Sequence, residues 1–505
     1  MVVGDAWFGD GAGCFVLFWL PARWGGFTFQ NIPSLPSHPG TRTMATGLTP
    51  PTVVGLKLKL ATMMFLQFFI WGAWFELGFD YIPKLGFNGD WQLPLIYGAF
   101  NIGALVALFF STQFADRKFA AEKFLSFSHL IGGLAILGLF FIRREPGDAS
   151  APFWPFFVLM LIHSVFYVPT ISITNSIAFA NLRDPSREFG PVRVWGTIGW
   201  IAASWPFIFI LVDWAKVPAF GTIDFGDWLG KALGTSVEGE KALALKANIF
   251  LVAGIASLVL AGFSLILPHT PPKPATAGDD SLAWVKAMKL LQHPFVAILF
   301  LVTFIDAAVH QSFFYWTFTF LGPIKDGGVV DIPANWVGPV MKIGQIAEIV
   351  TMLFLGYVLK TFGWRMTMVV GVLGHAARFA VFAYFPQEEA AILINAVHGI
   401  CYAFFFATVY IFVDEFFPKD VRSSAQGLFN VLILGVGPFA ANFLCGRLQT
   451  QYKVGGVLNY SAVYEYSMIA AVIGAVLLFV FFHPPSMKTE DVGFSKAEED
   501  APPVA

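Results

Sequence analysis

Residues 340–353 read VMKIGQIAEIVTML, and the reading of the whole chain turns on this stretch. Lys342, Gln345, Glu348 and Thr351 stand three residues apart, so in a helix they form one polar column. Around them lie Val340, Met341, Ile343, Ile346, Ile349, Met352 and Leu353, an apolar surround suited to lipid, which turns the column inward. A carboxylate at the centre of a span costs about 2.5–3.5 kcal/mol on insertion scales, so Glu348 marks a polar path through a membrane.

Composition agrees with that setting. Hydrophobic residues make up 56% of the chain and charged residues 13%, about half the charge of a soluble domain, and Phe occurs 57 times. A net charge of −2 and a pI near 6.5 offer no basic surface for nucleic acid. Cys14, Cys401 and Cys445 lack the spacing of a disulfide framework or a zinc site, so no metal or cofactor is expected. No HExxH, nucleophile elbow or phosphate-cradling Gly loop is found at a membrane edge, and catalytic residues are therefore not expected.

Residues 1–56 are rich in Gly, Pro and Ser. Their longest apolar run, Cys14 to Leu20, is far short of the ~20 residues that span a bilayer. They read as a disordered leader, or as a mis-called start ahead of Met44. From Lys57 onward twelve apolar segments follow, at about 58–82, 91–114, 122–142, 153–180, 191–213, 247–267, 293–321, 334–360, 366–385, 389–416, 423–447 and 462–483. The expected fold is an all-α integral membrane protein of twelve transmembrane helices in two six-helix bundles. An even number puts both termini on one side. Arg117, Lys118, Lys123, Arg183, Arg187, Arg193, Lys273, Lys286, Lys289, Lys360, Arg365, Lys419 and Arg422 lie at that side's connections, which makes it the cytoplasm. The long segment 214–246 on the other side also carries lysines, but long loops translocate regardless of charge.

The Pro- and charge-bearing stretch 269–292 divides an N-terminal bundle, 57–268, from a C-terminal one, 293–485, and a disordered tail, 486–505, follows. DPSREFGPVRVWGTIG and FPKDVRSSAQGLFN place Arg193 and Arg422 at equivalent helix starts. Matching loops in a six-plus-six chain are how a rocking transporter is built, with its site near midplane.

Helical spacing nominates the lining. Gln67, Trp71, Trp74, Gly78 and Tyr81 share one face, as do His163, Tyr167, Thr170 and Thr174 with Pro169 as a kink, Arg193, Thr197 and Trp200, and Asn395, His398 and Tyr402. His310 and Gln311 sit amid Phe313, Phe314, Tyr315 and Trp316. Amides, hydroxyls, a carboxylate and flat rings suit a neutral, hydroxyl-rich, planar solute. Plainer readings compete. Single rings more often pack than clamp a ligand, each histidine can be satisfied by a neighbouring helix, Glu76 and Asp80 can be solvated at the outer end of the first span, and Asp306 can pair with Arg378.

LKLKLATMMFLQFFIWGAWF, HSVFYVPTISITNSIAF, PVRVWGTIGW, GQIAE with Gln345 and Glu348, and VRSSAQGLFN together resemble the nucleoside:proton symporter family of the major facilitator superfamily, from about Lys57 to Pro485. The resemblance implies import of purine or pyrimidine nucleosides with protons, in a bacterial cytoplasmic (inner) membrane, by a monomer whose partners are nucleoside, proton and the lipid bilayer. It makes Arg193, Thr197 and Trp200 N-domain contacts, with Trp200 where an enterobacterial member has Phe. Gln311, Gln345 and Glu348 match polar C-domain residues that bind nucleoside. Tyr402 matches an aromatic position beside the base, and His398 replaces a Tyr. Phe314 stands where that member has Asn, and Ala403 where it has an Asp proposed for coupling.

With Ala403 unable to hold a proton, Glu348 becomes the expected coupling group, with His398 or His310 beside it. Linkage between protonation and substrate binding at one carboxylate is all that symport requires. A proton-independent nucleoside uniporter, or a carrier of another neutral solute such as a sugar, shares the architecture.

Overall fold

The computed structural model describes residues 53–110, 119–145, 147–272, 288–417 and 422–484. Most of the expected leader, Asp116 to Lys118, most of the central connection and the tail lie outside the described residues, as do the side chains of Arg187 and Arg422.

Helix occupies the apolar segments in turn: α1 Val53–Tyr81, α2 Gln92–Phe110, α3 Ala121–Leu139, α4 Phe153–Asn181, α5 Pro185–Ala202, α6 Trp205–Ile210, α7 Phe225–Gly234, α8 Gly239–Lys246 and α9 Asn248–Ser264. There follow α10 Pro294–Leu321, α11 Ala334–Met341, α12 Ile343–Tyr384, the helical run α13 Glu388–Phe416, α14 Ala425–Gln451 and α15 Tyr460–Phe481. Among the described residues nine helical runs are long and apolar enough to cross a membrane, and Gln92–Ala107 is a shorter apolar helix. One of the nine, Ala334–Tyr384, holds two expected segments. Its helix breaks at Gly363, whose φ of 69° and ψ of 175° lie outside the helical region, at a positive φ that favours glycine. The α5 segment, with Arg187, Glu188 and Arg193 within 18 residues, is too polar to be counted with them.

The segment expected as one helix over 191–213 differs from expectation. Helix begins earlier, at Pro185, a residue whose fixed φ suits a helix start, and ends at Ala202. A break at Ala203–Ser204 precedes α6, which opens with Trp205 and Pro206. The chain is also not purely helical: Lys453–Val454 pairs antiparallel with Val457–Leu458 around Gly455–Gly456, both at positive φ. Residues 214–246 fold over one end of the helices as α7 and α8, tied by a bridge between Val212 and Ser236. Asn335 and Trp336 at the start of α11 donate to the Leu233 carbonyl at 2.9 and 2.8 Å, fastening α7 to the C-terminal helices. This end is the capped face of the protein.

Three layers of contact position the site. α1 packs on α5 and α9, and α4 on α2 and α3. α12 packs on α13 and α15, and α10 on α14 and α15. Between these sets, α1 meets α10 and α2 meets α14. Outward-facing Leu, Phe, Val and Ile such as Leu134, Phe141, Leu353, Phe354 and Phe479 are more than half exposed, as a surface solvated by lipid tails requires.

Candidate substrate site

Glycines bring the lining helices together. A Cβ on Gly199 would strike the Phe65 carbonyl, and one on Gly72 would lie 2.9 Å from the Trp200 carbonyl, so α1 and α5 touch backbone to backbone. Trp200 is thereby set edge-on against Trp71, with ring centroids 5.0 Å apart. Gly399 makes the corresponding approach to the backbone of Ala347 and Glu348, and Gly344 to the Cβ of His398. Gln345, Glu348, His398 and Tyr402 are thus presented side by side by α12 and α13.

Arg193 lies with its guanidinium 4.1 Å from the centroid of Phe68, which holds the flat group in one orientation. Glu348 and Tyr402 lie on the C-terminal helices, which come against α5 where Lys342 stands 4.5 Å over the Trp200 ring. Glu348 itself is half-buried and in no ion pair among the described residues. Thr197, one turn beyond Arg193 and three residues before Trp200, is also half-buried. Trp71 Nε1, Trp200 Nε1, Gln345 Oε1 and His310 Nδ1 are buried without hydrogen-bond partners, although buried polar groups are normally bonded. These are groups that a polar solute between the helices would satisfy.

Phe314 is the aromatic hub. It lies 5.2 Å from Phe75 of α1, 5.2 Å from His310 and 6.2 Å from His398. Tyr402 opens a π-helical turn, Tyr402–Ala407, in which the Thr408 hydroxyl donates to the Ala403 carbonyl five residues back. Such turns displace side chains from the regular helical register and are frequent at functional sites. Gln311 is less free than the sequence suggests. Its Nε2 donates to Asn442 Oδ1 at 2.9 Å, Asn442 Nδ2 donates to Asn101 Oδ1 at 3.1 Å, and Asn101 Nδ2 donates to the Leu434 carbonyl at 2.8 Å. Asn101 and Asn442 were not among the expected lining residues. The available signal was an amide inside each apolar run.

Several expectations need correction. Lys342 does not line an open path: it is 2% exposed, pairs with Glu76 at 2.8 Å and lies 4.5 Å over the Trp200 ring. Glu76 is therefore not solvated at the outer end of its span. Nor is Asp80, which is buried against Lys84 at 2.8 Å and Lys246 at 2.6 Å and accepts from Thr319 at 3.0 Å. Asp306 and Arg378 do not pair directly, because His375 stands between them. Gln67, expected on the lining face, is bound inside the N-terminal helices, donating to Thr170 and meeting His129 Nε2 through its Oε1. His163 contacts the Gly132 carbonyl through Nδ1, a packing role. Asn395 donates to the Ala391 carbonyl of its own helix.

Comparison with known proteins bears on the same chain. The family model described as Nucleoside H+ symporter matches residues 54–221 and 211–487. The chain belongs to the nucleoside H+ symporter family. Within this family of the major facilitator superfamily it is similar to the putative nucleoside transporter YegT of Escherichia coli (strain K12), 31% identical over 436 residues, covering 84% of this chain and 93% of that protein. It is also similar to the xanthosine permease of that organism, 27% identical, covering 85% and 96%. The nucleoside permease NupG of the same organism is 26% identical, covering 85% and 95%. The crystal structure of nucleoside transporter NupG matches with a TM-score of 0.68 at 24% identity, over 85% of this chain and all of that one, which establishes a common fold. A bacterial homologue of the lysosomal transporter Spinster shares the fold at a TM-score of 0.59 and 15% identity. In this nucleoside H+ symporter family member, then, the helices described above form a multi-pass membrane protein.

Proposed function

We propose that this protein imports nucleosides with protons by alternating access across the bacterial cytoplasmic membrane. The observation that carries the reading is the set of buried, unpartnered groups Trp71 Nε1 and Trp200 Nε1 from the N-terminal helices and Gln345 Oε1 and His310 Nδ1 from the C-terminal ones, with Lys342 at the α11–α12 junction 4.5 Å over the Trp200 ring joining the two sets. Donors and acceptors suit ribose hydroxyls, and the Trp71, Trp200 and Phe314 rings suit a base. Family membership and relatives named for nucleosides support the same substrate class.

In this reading twelve helices form two six-helix bundles, 57–268 and 293–485, joined by a cytoplasmic connection over 269–292, with both termini cytoplasmic and the protein a monomer. Support for the division into two bundles comes from the contact pattern, dense within each stretch and carried between them mainly by α1 with α10 and α2 with α14. The capped face is then extracellular. Contacts across it, Glu76 with Lys342, Asp80 with Thr319 and Glu238 with Lys325, would hold an inward-facing state.

Glu348 carries the coupling proton, and it binds substrate through the same oxygens when Arg193 approaches. Uptake of tritiated uridine into proteoliposomes tests this, with and without an imposed inward proton gradient, for the native chain and for Glu348→Gln. A gradient of about one pH unit supports up to about tenfold accumulation at one proton per nucleoside. The native protein is expected to approach that limit and Glu348→Gln to equilibrate only. Accumulation by Glu348→Gln would overturn the assignment. Equilibration by the native chain would favour the uniporter reading, for which buried Ala403, with no ionisable group, is the observation in favour. Competition by nucleosides and not by hexoses separates both from a sugar carrier.

A further inference from the structure

Away from Glu348, the C-terminal helices bury a second set of ionisable groups. Asp306 on α10 and His375 and Arg378 on α12 are each 0% exposed, and His398 on α13 is 3% exposed. Neither carboxylate oxygen of Asp306 has a hydrogen-bond partner, and neither has His375 Nε2, yet Oδ2 and Nε2 face each other at 3.6 Å. An ionised carboxylate with no hydrogen bond is costly to bury, and a proton on it removes that cost.

Arg378 determines the protonation of its neighbours by geometry. Its Nη1 and Nη2 lie 2.8 Å from His398 Nδ1 and 2.9 Å from His375 Nδ1. A guanidinium only donates, so both Nδ1 atoms accept and each neutral ring carries its proton on Nε2. His375 thus turns an N–H toward Asp306, and Arg378 bridges His375 to His398, which sits beside Phe314 in the substrate site. The guanidinium is also held 3.8 Å over the Phe313 ring. His310, half-buried, lies 5.1 Å from His398 and 5.5 Å from His375, so it joins the site to the buried pair. The other titratable groups facing this cluster are Cys401 of α13 and Tyr464 of α15, both near Arg378, and Lys342, near His398.

We propose that Asp306, with His375 and Arg378, is a second proton-binding site of this transporter, through which the load state of the proton reaches the nucleoside pocket via His398. The inference rests on the symport reading above. One proton from water adds to an Asp306 oxygen and later returns to water on the other side, and no other bond is made or broken. Ionised, Asp306 balances Arg378 across His375. Protonated, it leaves the guanidinium to the two histidines and Phe313, which changes what Arg378 demands of His398. Asp306 is a proton carrier that does not touch nucleoside, and Arg378 is a positioning residue.

The test separates net proton-driven uptake from exchange. In proteoliposomes of the full chain, Asp306→Asn is expected to retain uridine counterflow within about twofold of native while losing gradient-driven accumulation, and Asp306→Glu to restore accumulation. Counterflow needs no net proton release, so a purely structural defect would depress both. Accumulation by Asp306→Asn at the native level overturns the inference and leaves the symport reading intact. Parallel loss of counterflow and accumulation in folded Asp306→Asn overturns it as well. Absence of gradient-driven uptake in the native protein overturns the symport reading and the inference with it. If Asp306→Asn does not fold, infrared difference spectra of Glu348→Gln between acid and alkaline pH decide: a carboxylic acid carbonyl band from a buried group is expected, and its absence overturns the proposal.

Discussion

Replacing Glu76 by Gln should open the capped face. In the structure Glu76 and Lys342 are 3% and 2% exposed and 2.8 Å apart, joining α1 to the junction of α11 and α12. Removing one partner of a buried pair costs about 3–5 kcal/mol, because the survivor is left charged and dry. Lys342 keeps the Trp200 ring at 4.5 Å, but that contact is already present beside Glu76 and so offsets none of the penalty. In the arrangement with this face parted both groups meet water, so the penalty of about 3–5 kcal/mol falls on one state alone and shifts the equilibrium about 150- to 4,000-fold toward opening. Ser204 is a suitable reporter: it is 6% exposed and lines the small cavity that also contains Glu76, Asn335 and Gly338. With Ser204→Cys in a Cys14→Ser background, where Cys401 and Cys445 are buried, the rate of labelling by a water-soluble maleimide should rise steeply on adding Glu76→Gln. It should return toward the starting rate when Lys342→Met is added, since no charge is then left buried without its partner. Labelling that does not change with Glu76→Gln, or a double variant that behaves as the sum of the singles, would refute the idea that this pair holds the face shut.

Two further outcomes follow from the packing. Gly399→Ala inserts a Cβ into the backbone of Ala347 and Glu348; overpacking of this kind costs about 1–3 kcal/mol, and because it separates α12 from α13 uridine KM should rise more than expression falls, as uptake kinetics set against protein yield will show. Arg193→Lys keeps the charge toward Glu348 but loses the flat stack on Phe68 at 4.1 Å, so uridine binding is expected to weaken about tenfold while thermal stability in detergent stays near native; calorimetric titration of both proteins checks this.

The polar column at Lys342, Gln345, Glu348 and Thr351 was legible at once, because period and composition are local properties of the chain. What the four residues do was not. Spacing places them on one face, yet Thr351 donates back to the Ala347 carbonyl of its own helix, Lys342 is neutralised by a carboxylate 266 positions earlier in the sequence, and only Gln345 and Glu348 are left to face the site. The same holds in α1, where Gln67 and Trp71 share a face by number but Gln67 is consumed by His129 and Thr170.

Hydrophobic periodicity is written in each segment, so the sequence alone determined that the chain lives in lipid, where its helical segments run, and which polar residues are costly enough to need a reason. Which buried charge answers which is a property of pairs far apart in the chain. Glu76 with Lys342, and Asp306 with His375, became neighbours only when packing set α1 against the α11–α12 junction and α10 against α12, close enough for short-range electrostatics in a dry interior to act.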